Sequence, residues 1–176
     1  MATRPERSGI MLAHTITPRR ISQIWDETYG VIAQPKLNGE RCWVEWYGDE
    51  PYLISSYGNQ FNLPHITQAL IDQNFKGIRF DGELYSHGLS FEQIHSICST
   101  SRKDLHQDHK SISLNIFDYK SGSPQSSRTV FINSLNFNFP LTSVESYTTY
   151  RDWETDRKST RLNSSHRSLS RMPSSA

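Results

Sequence analysis

The spacing of apolar residues switches repeatedly between a period of two and a period of about 3.6, and this switching constrains the fold more than any other feature. Alternation over residues 41–47 and 112–116 predicts β-strands, whereas apolar residues three or four apart over 64–75 predict a helix. The segments lack the regular spacing of βαβ units. We therefore predict an α+β domain with antiparallel β-sheets and flanking helices.

Local signals place the other elements. Thr17 followed by Pro18 has the order of an N-cap and a first helical residue, which predicts a short helix that ends at Gly30. Ser90 has the character of an N-cap for a helix over 91–102. Further strands are predicted over 52–56, 77–85, 111–120 and 141–150, and a further helix over 128–139.

Two strand-like runs, residues 31–36 and 41–47, flank the dipeptide at 38–39, which is Asn-Gly. Asn-Gly is favoured in the tight turns of β-hairpins because both positions adopt positive φ angles readily. The sequence thus predicts a hairpin with Lys36 at its tip and Arg41 close by.

The end of the chain differs in composition from the rest. Residues 157–176 contain five Lys or Arg, no Asp or Glu and seven Ser, without any periodicity. We predict a folded domain over 1–150 and a disordered Ser/Arg-rich tail over 151–176, which is either foreign sequence or a basic arm that binds DNA phosphates.

Without the five cations of the tail, 14 Lys and Arg remain against 18 Asp and Glu, so residues 1–156 carry a formal charge of −4. Global charge therefore gives no support to nucleic-acid binding, which normally relies on a basic surface.

Length and cysteine usage narrow the class of protein. A chain of 176 residues fits one catalytic domain. Cys42 and Cys98 lack metal-ligand spacing, and no apolar run is long enough for a signal peptide or a membrane span. We expect a reduced, cytoplasmic protein that does not bind membranes.

Three short segments could carry chemistry. Asp81 and Glu83 stand two apart in a predicted strand, hence on one face, where their charges repel unless a cation, a hydroxyl or Mg²⁺ lies between them. Phe117, at the end of another strand and next to an acid, is either a core residue or a platform for an aromatic base. Taken singly, these segments favour simpler interpretations, with Lys36 as a solvated lysine beside an ordinary turn and the segment around Gly82 as an exposed turn.

Taken together, the segments resemble the covalent nucleotidyltransferase superfamily, and within it the ATP-dependent DNA ligases, especially short phage-type ones. Residues 36–41 (KLNGER) are similar to the K-x-D-G-x-R motif, residues 80–84 to F-D-G-E-L, and residues 117–118 to an aromatic residue followed by Asp. The spacing, 47 residues from Lys36 to Glu83 and 34 from there to Phe117, also resembles that of ligases.

The resemblance implies an incomplete adenylation domain with a nucleotidyltransferase, ATP-grasp-like fold that uses ATP and Mg²⁺. The enzyme would act as a monomer, transferring AMP from Lys36 to the 5′-phosphate of nicked double-stranded DNA before sealing the nick. The implied roles are Lys36 as catalytic nucleophile, Gln34 at the adenine edge, Arg41 at the sugar and phosphates, Glu83 at the ribose hydroxyl or the metal, and Phe117 stacked on adenine.

Such chemistry needs an amine that has lost its proton, and at neutral pH only on the order of one ordinary lysine in a thousand has done so. A neighbouring guanidinium at Arg41 and a nearby Mg²⁺ would disfavour the ammonium form. Arginine stays protonated and cannot replace the nucleophile.

The chain departs from the family pattern in several places. Asn38 stands where the family has Asp, Tyr57 stands where Arg is common, and the Glu-Gly and Lys-x-Lys motifs do not appear after Tyr150. We therefore expect a chain cut short before its last motifs, without the OB-fold domain, that seals nicks poorly or not at all. An RNA ligase, a capping guanylyltransferase and a catalytically inactive nucleic-acid-binding fragment remain alternatives.

Overall fold

The computed structural model describes residues 16–20, 23, 31–99 and 104–149. The chain divides into two units, one of Met1–Thr15 and Ile32–Tyr147 and the other of Ile16–Val31 and Thr148–Ala176. Within the second unit, residues 18–20 and 23 are helical, and the Arg20 N–H donates to Thr17 Oγ1 at 3.3 Å. This bond is the predicted N-cap. The rest of the predicted first helix and the 151–176 tail lie outside the described residues.

The described strands are β1 Val31–Ala33, β2 Glu40–Tyr47, β3 Glu50–Ser55, β4 Gln60–Phe61, β5 Phe80–Tyr85, β6 Ser113–Tyr119, β7 Leu141–Ser143 and β8 Tyr147–Thr149. Six of them form one sheet with the order β4-β3-β2-β5-β6-β7. Its neighbouring strands are antiparallel except for β6 and β7, which are parallel. A second, two-stranded sheet pairs β1 with β8.

Among residues 31–99 and 104–149, three α-helices and one turn of 3₁₀-helix accompany the sheet. They are α1 Pro64–Asp72, α2 Phe91–Cys98, α3 Gln125–Ser134 and the 3₁₀ turn His109–Ser111. Ser90 caps α2 through a complete capping box with Gln93, which confirms the predicted start of that helix. None of the described helices is long and apolar enough to cross a membrane.

The predicted hairpin around Lys36 is wrong. β1 ends at Ala33, residues 34–38 have no regular structure, and β1 pairs with β8 rather than with β2. Gly39 serves a different purpose from a turn, since a Cβ there would lie 2.2 Å from the Leu84 carbonyl oxygen. The glycine permits close approach of the chain to β5. Gly39 is therefore needed for packing against β5, and the Asn-Gly pair does not form a hairpin turn.

The two faces of the six-stranded sheet differ sharply. On one face, here called the core face, β5 and β6 bury Phe80, Leu84, Leu114 and Ile116 in the same apolar cluster as residues of all three helices. The opposite face, the site face, carries partly buried side chains, among them Arg41, Trp43, Asp81, Glu83 and Asn115. Because strand residues alternate between faces, each strand contributes to both.

Candidate functional site

The register between β2 and β5 assembles the centre of the site face. Arg41 lies opposite Glu83, and Trp43 lies opposite Asp81. Residues at paired positions in antiparallel strands project to the same side of the sheet, so the two carboxylates share this surface with the guanidinium. The prediction that Asp81 and Glu83 lie on one face is confirmed.

Arg41 and Asp81 form a bidentate ion pair. Arg41 Nε donates to Asp81 Oδ1 at 2.7 Å, and a second guanidinium nitrogen donates to Oδ2 at 2.6 Å. Each side chain is only 24% exposed. Burial raises the pKa of Asp81, while the Arg41 hydrogen bond and charge act in the opposite direction. Arg41 is thus the cation that pairs with Asp81.

The guanidinium of Arg41 also covers one face of the Phe117 ring. Its Cζ lies 4.3 Å from the ring centroid, a cation–π contact. The β5–β6 pairing shifts between Asp81 and Gly82, so that both Phe117 and Asp118 fall within one step of β5. Such a bulge re-aims side chains, and here it leaves the ring beside the ion pair.

Asp118 has a different task from its neighbour Phe117. Its two carboxylate oxygens accept hydrogen bonds from Arg128 Nε at 2.8 Å and from a terminal guanidinium nitrogen of Arg128 at 3.0 Å. Arg128 lies on α3, so this pair ties that helix to the end of β6. The acid of the aromatic-Asp segment thus holds the strand that carries the ring.

Gln34 is bound to the same strand end from the other direction. Its side-chain nitrogen donates to the Phe117 carbonyl oxygen at 3.1 Å and to Ser146 Oγ at 2.9 Å. These bonds join positions 83 and 112 residues apart in sequence. The structure therefore brings Gln34, Arg41 and Phe117 together.

Glu83 joins the group through the backbone of Gly39, whose N–H donates to Glu83 Oε1 at 3.1 Å. Burial is the largest influence on the pKa of Glu83 and raises it, whereas the Gly39 N–H, Arg41 and Lys36 each lower it. Lys36 itself is exposed, in the irregular segment 34–38.

A cavity of about 540 Å³ opens beside Arg41 and Glu83. It is also lined by Ser55, Ser56 and Tyr57, the last of which stands where Arg is common in the family. Lys36 and Phe117 are not among the residues that line it. This cavity therefore adjoins the ion pair without connecting the lysine to the ring.

The residues present fit Mg²⁺ only as an ion held mainly by a nucleotide. In the described part of the chain, no three His, Cys, Asp or Glu side chains cluster as metal ligands. Asp81 is occupied by Arg41, and one oxygen of Glu83 accepts from Gly39. The other oxygen of Glu83 could supply a single ligand, which suits an ion bound by one carboxylate and by phosphate oxygens.

The chain matches no family model and no curated protein sequence. Solved structures do match. The protein Pmar-Lig_Pre aligns with a TM-score of 0.57 at 15% identity, over 74% of this chain and 34% of its own. A Lig E DNA ligase aligns with a TM-score of 0.53 at 24% identity, over 70% of this chain and 46% of its own. The ATP-dependent DNA ligase of bacteriophage T7, in complex with ATP, aligns with a TM-score of 0.52 at 16% identity, over 81% of this chain and 56% of its own.

These comparisons define the fold. The chain has the mixed α+β fold of ATP-dependent DNA ligases, which confirms both the predicted fold class and the resemblance to these ligases. The chain spans between about a third and just over half of the length of these proteins. At identities of 14–24% the likeness concerns the fold alone.

Sequence reasoning missed one residue of the site, Ser146, and one contact, the ion pair between Arg41 and Asp81. That pair depends on the register between β2 and β5, which alternation within each strand does not give. Ser146 lies 112 residues after Gln34 in the sequence, and nothing in its local sequence predicts the hydrogen bond between the two side chains.

Proposed function

We propose that the protein is an ATP-dependent DNA ligase of the lysyl-adenylate type. Lys36 would take AMP from ATP and pass it to the 5′-phosphate of a nick in double-stranded DNA. The observation that carries the proposal is the convergence of Arg41, Glu83 and Phe117 on one sheet face, with Gln34 bound to the Phe117 carbonyl oxygen, next to the segment that bears Lys36. The shared fold with ATP-dependent DNA ligases supports it.

The proposed first step is attack on the α-phosphate of ATP by the neutral amine of Lys36. A phosphorus–nitrogen bond forms, the bond to the bridging oxygen breaks, and pyrophosphate leaves with the electron pair. The amine must first lose a proton. The fixed guanidinium of Arg41 would disfavour the ammonium form of a lysine brought close to it, and would attract the phosphates.

The remaining site residues would hold the adenosine. Phe117, backed by Arg41 on one face, would stack on the base with the other face of its ring. The Glu83 carboxylate, oriented by the Gly39 N–H, would accept a hydrogen bond from a ribose hydroxyl or ligate Mg²⁺. A bound Mg²⁺ would neutralise charge on the departing pyrophosphate.

DNA as the acceptor rests on the fold and on the DNA ligases that share it, one of which was studied for DNA binding with a minimal scaffold. We propose a monomer that works in the cytoplasm. The negative charge of residues 1–156 predicts that this part of the chain binds duplex DNA weakly.

Transfer of label tests the proposal. Wild-type protein is incubated with Mg²⁺ and ATP labelled at the α-phosphate, and the adduct is then chased with nicked DNA, nicked RNA or no nucleic acid. We expect acid-labile label on the protein that nicked DNA removes. Lys36→Ala should carry none, whereas the exposed Lys120→Ala should match wild type. Equal labelling of Lys36→Ala and wild type would overturn the proposal, and release by RNA alone would replace DNA with RNA as the acceptor.

A further inference from the structure

The orientation of the Gln34 side-chain amide is fixed by chemistry as well as by geometry. A backbone carbonyl oxygen can only accept a hydrogen bond, so the Gln34 atom 3.1 Å from the Phe117 carbonyl oxygen must be the nitrogen. The flipped amide would set two oxygens against each other. The two amide hydrogens are therefore directed at the Phe117 carbonyl oxygen and at Ser146.

Ser146 is held so that its hydroxyl oxygen accepts from Gln34. Ser146 Oγ lies 2.9 Å from the Gln34 nitrogen and 3.4 Å from the Val144 carbonyl oxygen, which can take the hydroxyl proton. Val144 is itself buried, and its N–H donates to the Ile116 carbonyl oxygen at 2.7 Å. The hydroxyl is thus anchored on the edge of the six-stranded sheet.

With both hydrogens engaged, the Gln34 amide has a single polar atom left, its oxygen. No hydrogen-bond donor reaches that oxygen among the residues that the structure describes. An amide oxygen is an acceptor only. The Gln34 side-chain oxygen can therefore accept a hydrogen bond from a base edge that offers an N–H donor, and it repels a base edge that offers a carbonyl oxygen.

We propose that Ser146 is a positioning residue that sets the purine preference of the site, by holding the Gln34 amide so that only its oxygen meets the base. This inference rests on the proposed function, with Gln34 at the base edge. Adenine offers an amino group at the position where guanine has a carbonyl oxygen, so the arrangement favours ATP over GTP.

Removal of the Ser146 hydroxyl would free one amide hydrogen while the Phe117 carbonyl oxygen kept the other. The amide would then offer both a donor and an acceptor, and could bind the carbonyl edge of guanine. A single hydrogen bond of this kind corresponds to about a three- to tenfold change in the ratio of ATP to GTP affinity. Affinity for a purine triphosphate without a substituent at that edge should hardly change.

Equilibrium dialysis of the full chain with labelled ATP, GTP and purine riboside triphosphate tests this. We expect Ser146→Ala to lower the ATP preference about three- to tenfold, and Ser146→Thr, which keeps the hydroxyl, to retain the wild-type ratio. Ser143→Ala is the matched control, because Ser143 is an exposed serine of β7.

The outcomes separate the two proposals. If wild type binds ATP but Ser146→Ala keeps the wild-type ratio, or Ser143→Ala loses it equally, the role of Ser146 is overturned while the proposed function stands. If wild type binds no nucleotide, the proposed function and the inference fall together. A shift confined to Ser146→Ala, with Ser146→Thr unchanged, supports the inference.

Discussion

On the core face of the sheet, Phe80, Leu84 and Leu114 are fully buried and held by non-directional apolar packing. On the site face, a few residues away on the same strands, Arg41 and Asp81 are partly exposed and held by two aligned hydrogen bonds. Apolar packing on the core face stabilises the domain. On the site face, partly buried polar groups are held close together, which lowers the net stability. Changes on the two faces should therefore be separable in experiment.

Adjacent residues of β5 give the sharpest contrast. Leu84→Ala removes a fully buried side chain and should lower the free energy of unfolding by about 2–5 kcal/mol, measured by urea denaturation. Glu83 precedes Leu84 in β5 and lies on the site face. Glu83→Gln keeps the shape of the side chain and removes its charge, so it should change stability much less, while nucleotide binding is lost. A loss of stability in Glu83→Gln as large as that in Leu84→Ala would break the distinction between the faces.

Gly39→Ala should affect both properties. A Cβ would lie 2.2 Å from the Leu84 carbonyl oxygen and 3.1 Å from Glu83 Cγ, so the chain must move away from β5. We expect a loss of about 1–3 kcal/mol in the free energy of unfolding, together with weaker nucleotide binding. Gly48→Ala is a useful contrast, since Gly48 has open space and is strained only by its φ of +63°. Unchanged nucleotide binding by Gly39→Ala would show that the Gly39–Glu83 contact is dispensable.

Asp81→Asn should show how much the ion pair contributes, because it removes the charge and leaves the packing around it nearly unchanged. The neutral amide cannot accept both Arg41 bonds, which should cost about 1–2 kcal/mol of stability and reduce labelling of the protein by ATP. Asp49→Asn is the matched control, because its pair with Lys76 is exposed and should contribute under about 1 kcal/mol. Equal effects from the two variants would mean that Arg41 needs no partner.

The smallest effect concerns pH. His65 Nε2 donates to the Ile112 carbonyl oxygen at 2.9 Å, and its buried Nδ1 has no partner among the described residues. Burial lowers the pKa of His65 in the folded protein below its ordinary value of 6.5. As pH falls through 6.5 the unfolded chain takes up the proton first, so this contribution to stability is complete above that pH and declines below it.

Urea midpoints of wild type and His65→Gln at pH 7.5 and 5.5, roughly one unit either side of an ordinary histidine, measure this contribution. The decline on acidification should be smaller in His65→Gln. Asp81 and Glu83 have the opposite sign, because burial raises the pKa of each and their penalty is relieved as pH falls. An identical pH dependence in wild type and His65→Gln would exclude His65 as a source of acid sensitivity.

Features that depend on residues close together in the sequence could be predicted, whereas contacts between residues far apart in the sequence could not. The capping box at Ser90 and the alternation in β6 are local, and both elements form as predicted. The pairing of β1 with β8 joins strands more than a hundred residues apart, and local turn signals around Gly39 favoured the wrong partner. Within the site, motif spacing identified Glu83 and Phe117, whereas the contact between Gln34 and Ser146 exists only once the chain has folded.

The proposed function requires Lys36 to form a covalent bond with AMP. Peptide mass spectrometry of the protein after incubation with ATP and Mg²⁺, under conditions that preserve phosphoramidates, locates such a bond. We expect one AMP on the peptide that contains Lys36, and none in Lys36→Ala. An adduct on another residue, or no adduct on protein that demonstrably binds ATP, would contradict it.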